Sequence, residues 1–193
     1  SGTARWQIGN QAVTLRQETR YPADGHIRLT IEGARGMKAA LRIPGWCRRY
    51  TLLCGGQPVQ AAPEKGYVAV NCLGDTVTLE LELDMSPVLL DADAGRAALQ
   101  RGPVVYCVEG ADHEGAVHDL LVDGWLKART EELPGMPLPV VRAAGWRRPR
   151  PEPGCPYRPL RENLQTLELT YIPYFAFANR GESDRLVWVP VRR

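Results

Sequence analysis

Apolar and polar residues alternate with a period of two in several short stretches of the chain. Apolar residues occupy every second position in Ile27–Ile31, Met37–Ile43 and Thr76–Leu83. Successive side chains of a strand point to opposite faces, so these stretches predict half-buried antiparallel strands. Further candidate strands are residues 12–18, 50–54, 67–70, 103–109, 164–171 and 186–191. The even spacing of so many short strands is typical of a β-sandwich.

Glycine and proline divide these strands at short intervals. The chain has 19 Gly and 16 Pro in 193 residues, which leaves little room for long helices. We therefore expect an all-β fold, an antiparallel, jelly-roll-like β-sandwich in two subdomains, residues 1–88 and 89–193. Half of the prolines lie in residues 134–159. Proline removes ladder donors, so we expect a loop there and not a central strand.

Composition and charge exclude some classes of partner. The net charge is +2, with Lys and Arg nearly balanced by Asp and Glu, so we expect no nucleic-acid partner. No apolar run is long enough to span a membrane and no secretory leader is visible, which favours the cytoplasm. The five cysteines are an odd number without a C-x-x-C pair, which favours a reducing compartment and gives no common zinc spacing.

Cys47, in "LRIPGWCRRY", is the first candidate for chemistry. A nucleophilic thiol needs a lowered pKa, usually from a histidine or a helix N-terminus, and no histidine is near it in the sequence. Arg48 and Arg49 supply positive charge but point to opposite faces of an extended chain. We interpret Cys47 as a small turn residue beside Trp46.

The loop "EGADHEGAVHD", residues 109–119, gathers carboxylates and imidazoles. His113 and His118 are five residues apart, whereas metal-binding pairs on a helix are four apart. Glu109 with Asp112 offers the two carboxylates of a glycosidase, but such pairs are common in any chain of this length. A solvated loop is the favoured interpretation, and an independent enzyme using this loop is the least favoured hypothesis.

Two tryptophans near polar loops are candidates for stacking on sugar rings. Trp125 and Trp146 are such candidates, whereas Trp188 in "LVWVPV" is expected in a core. "WRRPR", which begins at Trp146, could bind an anion, although a solvated linker is the simpler interpretation. These aromatic residues keep open the hypothesis of a carbohydrate-binding module.

Five blocks of the sequence occur in the order found in a known family. They are "QETRYPADG", "LRIPGWC", "GYVAV" with "GDTVTLELELDM", "RGPVVYCVE", and "IPYFAFANRG" with "VWVP". Together they resemble the C-terminal all-β region of glycoside hydrolase family 127, the β-L-arabinofuranosidases. The resemblance implies a retaining parent enzyme whose cysteine nucleophile and zinc lie in an (α/α)6 barrel outside the matched blocks.

The resemblance therefore carries no catalytic, cofactor-binding or metal-binding residue to this chain, and Cys47 matches a strand-and-corner block. It implies a non-catalytic accessory region that packs against the barrel and supports dimerisation. "IPYFAFANRG" is the expected interface, because strand alternation sends Phe175 and Phe177 to one face and Ile172 and Tyr174 to the other. One of these pairs needs cover from a partner, so Tyr174 and Phe175 are candidate interface residues and self-association is expected.

Overall fold

The computed structural model describes residues 1–72, 74–93, 95–114, 117–149 and 163–192. The chain divides into two compact units, Ser1–Met85 and Ser86–Arg193. Both are built from strands, and the helical residues of the described ranges are confined to two single 3₁₀ turns, Gly110–Asp112 and Tyr174–Ala176. The prediction of an all-β fold is confirmed.

The first unit places two antiparallel sheets around one core. Its strands are β1 (Gly2–Ile8), β2 (Gln11–Thr19), β3 (His26–Glu32), β4 (Met37–Arg42), β5 (Tyr50–Cys54), β6 (Gln57–Pro58), β7 (Tyr67–Cys72) and β8 (Thr76–Leu83). The larger sheet has the order β1-β2-β3-β8-β5-β6, and β4 pairs with β7 in a sheet of two strands.

The alternating residues of the sequence form this core. Leu79 and Leu81 of β8 are buried, and β8 lies between β3 and β5 with Leu79 opposite Leu29. Cross-strand partners lie on the same face of a sheet, so the apolar set of each strand joins one layer. Leu41 of β4 and Val70 of β7 complete the buried cluster from the smaller sheet.

The second unit forms a circuit of paired strands. Its strands are β9 (Pro87–Asp93), β10 (Arg96–Arg101), β11 (Val104–Glu109), β12 (Leu120–Asp123), β13 (Ala128–Glu131), β14 (Val140–Arg147), β15 (Gln165–Pro173), β16 (Arg185–Leu186) and β17 (Trp188–Arg192). Pairing runs β10-β11-β15-β14-β12-β17 and returns to β10. Among the strands of the described residues, only β12 and β17 pair in parallel. Side chains from all six strands of the circuit fill one buried cluster.

The expectation of a loop over residues 134–159 was wrong for Val140–Arg147, which form β14. This strand pairs with β12, β13 and β15. The prolines at 137 and 139 precede β14 and Pro149 follows it, so none removes a donor from the ladder. Residues 150–159, and Cys155 with them, lie outside the described residues.

The strand alternation expected for Ile172–Phe177 was also wrong. Strand β15 ends at Pro173, and Tyr174–Ala176 turn as a 3₁₀ helix, which abolishes the period of two. Ile172 is fully buried, whereas Tyr174 is 43% and Phe175 59% exposed. Tyr174 and Phe175 are therefore both surface residues, and Tyr174 does not share a face with the buried Ile172 as expected.

Candidate interaction site

Three charged or polar groups of the 109–119 loop, Glu109, Asp112 and His113, lie close together in the second unit. Glu109 ends β11 and is fully buried, and His113 is only 2% exposed. Glu109 Oε2 accepts a hydrogen bond from Arg180 Nη2 at 2.5 Å, and Asp112 accepts two from the same guanidinium. These acidic residues therefore hold an arginine that is distant in sequence, and the interpretation of the loop as solvated is wrong for Glu109 and His113.

His113 is engaged through both ring nitrogens. Nδ1 lies 2.8 Å from the carbonyl oxygen of Glu109, and Nε2 lies 3.2 Å from the backbone N–H of Thr170. This arrangement requires a neutral ring that donates from Nδ1 and accepts at Nε2. Burial lowers the His113 pKa, with the positive charges of Arg147 and Arg142 acting in the same direction and the Glu109 carbonyl and Asp112 opposing. His113 thus has no free nitrogen for a metal ion or a substrate.

The segment Pro173–Leu186 is attached to this cluster at several points. The Ala178 N–H donates to Glu109 Oε1 at 3.1 Å, and Ala178 adopts a positive φ of 64°. Gly110 N donates to the Asp184 carbonyl at 2.8 Å. Strand β16 then pairs with β11, with Arg185 opposite Glu109. The backbone N–H of Ala178, a residue in a rarely adopted backbone conformation, is thus held by a bond to a buried carboxylate.

This segment presents the two exposed aromatic residues Tyr174 and Phe175. The Arg185 guanidinium lies over the Phe177 ring at 4.4 Å from its centroid and over the Tyr174 ring at 5.6 Å. Cation–π contacts of this length orient an aromatic side chain without covering all of it. We call Tyr174, Phe175 and Arg185 the aromatic corner.

The structure therefore brings together two candidates that the sequence kept apart. The acidic loop anchors the segment that bears Tyr174 and Phe175, and its residues are not arranged around an open site. The sequence reasoning missed Arg180 and Arg185, which connect the two features. The spacing of basic residues around "FANRG" gave no signal for this, because the contact partner of Arg180 lies 71 residues away.

The two candidate tryptophans differ in accessibility. Trp125 follows β12 and is 88% exposed. Its backbone N–H donates to Asp123 Oδ1 at 3.0 Å. Trp146 lies in β14, and the Arg192 guanidinium stacks on its ring at 4.2 Å from the centroid. Trp125 offers an open ring, whereas one face of Trp146 is already occupied. Trp188, expected in a core, is 36% exposed.

Cys47 lies in the turn that follows β4. Its N–H donates to the Pro44 carbonyl at 3.0 Å and its thiol donates to the Arg49 carbonyl at 3.0 Å. Both Cys47 and Trp46 pack against the core of the first unit. The surroundings of the thiol are those of a turn residue.

Metal-binding groups and membrane-spanning helices were sought in the described ranges. No three His, Cys, Asp or Glu side chains converge there as metal ligands would. No helix in the same ranges is long and apolar enough to cross a membrane.

The chain consists of two all-β units, and each unit has its own buried core. Two family models match it, the glycoside hydrolase family 127 middle domain of β-L-arabinofuranosidases over residues 1–85 and the family 127 C-terminal domain over residues 85–190. The chain belongs to glycoside hydrolase family 127.

Known relatives show how much of such a protein the chain represents. It is 35% identical over 212 aligned residues to a non-reducing end β-L-arabinofuranosidase of Bifidobacterium longum subsp. longum, covering 97% of this chain and 31% of the relative. A crystal structure of a family 127 β-L-arabinofuranosidase from Geobacillus stearothermophilus T6 matches with a TM-score of 0.90 and 29% identity, over 98% of this chain and 32% of the other. A family 127 β-arabinofuranosidase matches with a TM-score of 0.85 and 29% identity, over 98% and 33%. The chain spans about one third of the length of these relatives.

Proposed function

We propose that this chain is a non-catalytic accessory region of a β-L-arabinofuranosidase-like glycoside hydrolase. It packs against a catalytic barrel that lies outside the chain, and the barrel supplies a cysteine nucleophile and zinc for a retaining reaction. The observation that carries the proposal is the match of nearly the whole chain to two β domains of the family, which make up only a third of an active relative.

The hydrogen bonds and ion pairs of the titratable groups in the 109–119 loop support the same proposal. Glu109 and Asp112 bind Arg180, and His113 has both nitrogens occupied. A general acid or base must reach the proton that it transfers. These groups stabilise a surface segment and none is free to act on a sugar.

The test is an activity assay on a chromogenic β-L-arabinofuranoside, with the chain alone compared with the full-length protein and with variants of the chain. The chain alone should release no product, while the full-length protein of the same gene should be active and contain zinc. Turnover by the chain alone that is abolished by Cys47→Ser, or about one zinc per chain lost on His113→Ala, would contradict the proposal. Cys54→Ser, which changes a second partly buried thiol of the same unit, is the matched control.

We also propose that the aromatic corner contributes to dimerisation. Tyr174 and Phe175 stand exposed on a segment that Glu109 and Arg180 hold in place. Sedimentation over a concentration series should show self-association that Phe175→Lys weakens. Trp125→Lys, at an exposed aromatic residue away from this segment, should leave it unchanged. A monomer at every concentration would contradict this role.

A carbohydrate-binding role is the second candidate function, and the exposure of Trp125 favours it. Aromatic faces pack against the apolar faces of sugars, and Trp125 leaves its ring open. Titration with arabino-oligosaccharides should quench tryptophan fluorescence, and Trp125→Ala should abolish that change. Trp188→Ala is the control, and equal quenching in both variants would exclude Trp125 as the binding residue.

We place the protein in a reducing compartment, the cytoplasm. The support is that Cys47, Cys54, Cys72 and Cys107 are free thiols in the described residues. Thiol titration of protein purified under non-reducing conditions should recover at least these four of the five cysteines, and a disulfide among the four would contradict this location.

A further inference from the structure

The inner face of the six-stranded sheet in the first unit is wider than the layer that covers it. Six strands lie on one side of the core and only β4 and β7 on the other. Trp6 lies opposite the buried Val13 and so shares the inner face with it. Trp6 is nevertheless 41% exposed, and Ile8, two residues on, is 44% exposed. The β1 end of this face is therefore open.

The open part of the face is a groove with apolar walls. It is lined by Trp6, Ile8, Val13 and Leu15 on the side of the larger sheet and by Met37 and Ala39 of β4 on the other. The opposite end of the unit differs. There Val59 packs against the core, its N–H donates to the Leu52 carbonyl at 2.8 Å, and the Tyr50 hydroxyl donates to the Ala61 carbonyl. A segment of the chain closes that end, but none in the described residues closes the groove at β4.

The edge of β4 beside this groove has no strand partner in the described part of the chain. Ile43 N donates to the Gly66 carbonyl at 2.9 Å in the register that pairs β4 with β7. Hydrogen-bonded and non-hydrogen-bonded pairs alternate in an antiparallel ladder. The backbone groups of Ala39 and Leu41 therefore point to β7, and those of Lys38 and Ala40 point to the groove. An unpaired edge beside an apolar groove is a template for an added strand.

We propose that the groove receives an extended strand from the part of the longer protein that lies outside this chain. The strand pairs with β4 through the backbone of Lys38 and Ala40, and its alternate apolar side chains cover Trp6 and Ile8. It turns the two-stranded layer into a three-stranded one.

This assignment rests on the proposed function, since it requires a longer parent protein. The model that matches residues 1–85 describes a middle domain, and about two thirds of each compared relative lies outside the matched region. A strand carried on the same polypeptide is present at high effective concentration, which favours it over a separate peptide.

Amide hydrogen exchange of this chain and of the full-length protein from the same gene tests the assignment. In the full-length protein the amides of Lys38 and Ala40 should exchange at least about tenfold more slowly than in the chain alone. The amides of Ala39 and Leu41, which point to β7, should be protected in both. Equal exchange of Lys38 and Ala40 in the two proteins would overturn the assignment.

Two variants of β1 distinguish an effect on the groove from a general effect on the strand. Trp6→Lys places a charge in the groove and should remove the added protection of Lys38 and Ala40 in the full-length protein. Gln7→Lys lies next to it on the opposite face of β1 and should leave that protection intact. If both variants keep the protection, the strand does not lie in this groove and the assignment is wrong.

Failure of the assignment can be distinguished from failure of the proposed function. If other amides of residues 1–193 gain protection in the full-length protein but Lys38 and Ala40 do not, only the assignment fails. If no amide gains protection, the accessory role fails with it. Protection of Lys38 and Ala40 that rises with the concentration of the chain alone would assign the groove to a second copy and overturn the assignment.

Discussion

Arg180 neutralises a carboxylate that has no contact with solvent. Its guanidinium joins the fully buried Glu109 to Asp112, and it remains one third exposed itself. These bonds raise the pKa of Arg180, Asp112 first and Glu109 after it, so the guanidinium stays charged at any working pH. A buried charge that loses its partner is strongly destabilising.

We expect Arg180→Ala to lower the free energy of unfolding of the second unit by about 3 kcal/mol, because the fully buried Glu109 side chain loses its arginine partner. Urea denaturation measures this. Arg129→Ala is the control, because the Arg129–Glu168 pair lies on an exposed face of the same unit and should cost much less. An equal decrease in the free energy of unfolding in the two variants would show that the Arg180–Glu109 pair contributes no more to stability than the exposed Arg129–Glu168 pair.

His113 makes the stability of the second unit depend on pH. Burial lowers its pKa in the folded state, so the unfolded chain binds a proton more readily. Stability should therefore be complete above the unfolded pKa of about 6.5 and fall as the pH drops below it. His113→Asn should reduce this slope between pH 5 and 7 as well as overall stability.

His118→Gln is the matched control for that experiment. His118 belongs to the same loop but is exposed, so its replacement should change neither the slope nor the stability measurably. The explanation fails if the slope survives in His113→Asn or disappears in His118→Gln. Denaturation at a series of pH values gives both quantities from one data set.

At the scale of elements, β14 shows why a proline-rich stretch can contain a central strand. It lies between β12 and β15, and Gly145 is the point of closest approach. A Cβ at Gly145 would lie 2.6 Å from the Leu121 carbonyl oxygen and 2.6 Å from Leu169 Cγ. Glycine within a strand often marks such an approach of backbone to its neighbours.

We expect Gly145→Ala to destabilise the second unit by about 1–3 kcal/mol, because the methyl group must displace backbone on one side and a buried leucine on the other. Thermal unfolding measures the loss. Gly45→Ala is the control, because a Cβ there meets nothing within 4 Å. A stable Gly145→Ala protein would mean that β14 can move away from its neighbours.

At the scale of the whole molecule, each unit has a core made from its own strands. The cluster of the first unit runs from Val13 to Leu83, and those of the second are drawn from Leu99 to Val189. Apolar burial is the main favourable term in folding, and each of these buried clusters is drawn from one unit. Independent folding of the two units follows from this separation.

We expect residues 1–85 and 86–193, produced separately, each to give a strand-rich circular dichroism spectrum and a cooperative unfolding transition. The control division after residue 60 separates β8 from its partners β3 and β5 and should leave the shorter piece unfolded. Loss of cooperativity in either unit of the first pair would contradict the independence of the cores.

The sequence by itself determined the fold class and the strands whose two faces differ. Alternation predicts which side chains of β3, β4 and β8 are buried. A strand with one face on the core and one face in solvent has apolar and polar residues at alternate positions. The ordered blocks also carried the family resemblance. The sequence also pointed to Tyr174 and Phe175 as surface candidates, although strand periodicity misassigned their faces because a 3₁₀ turn interrupts it at Tyr174.

Only the tertiary structure decided which residues that are far apart in the sequence contact each other. Strand β14 has hardly any alternation to detect in the sequence, because Ala144 and Trp146 place apolar residues on its half-buried face as well. The bond between Glu109 and Arg180 connects residues 71 apart, and the closure of the circuit through β10 and β17 depends on pairings that no local pattern encodes. The local sequence determines which side chains of a segment are apolar enough to be buried. The segment against which they are buried is determined by the packing of the whole unit.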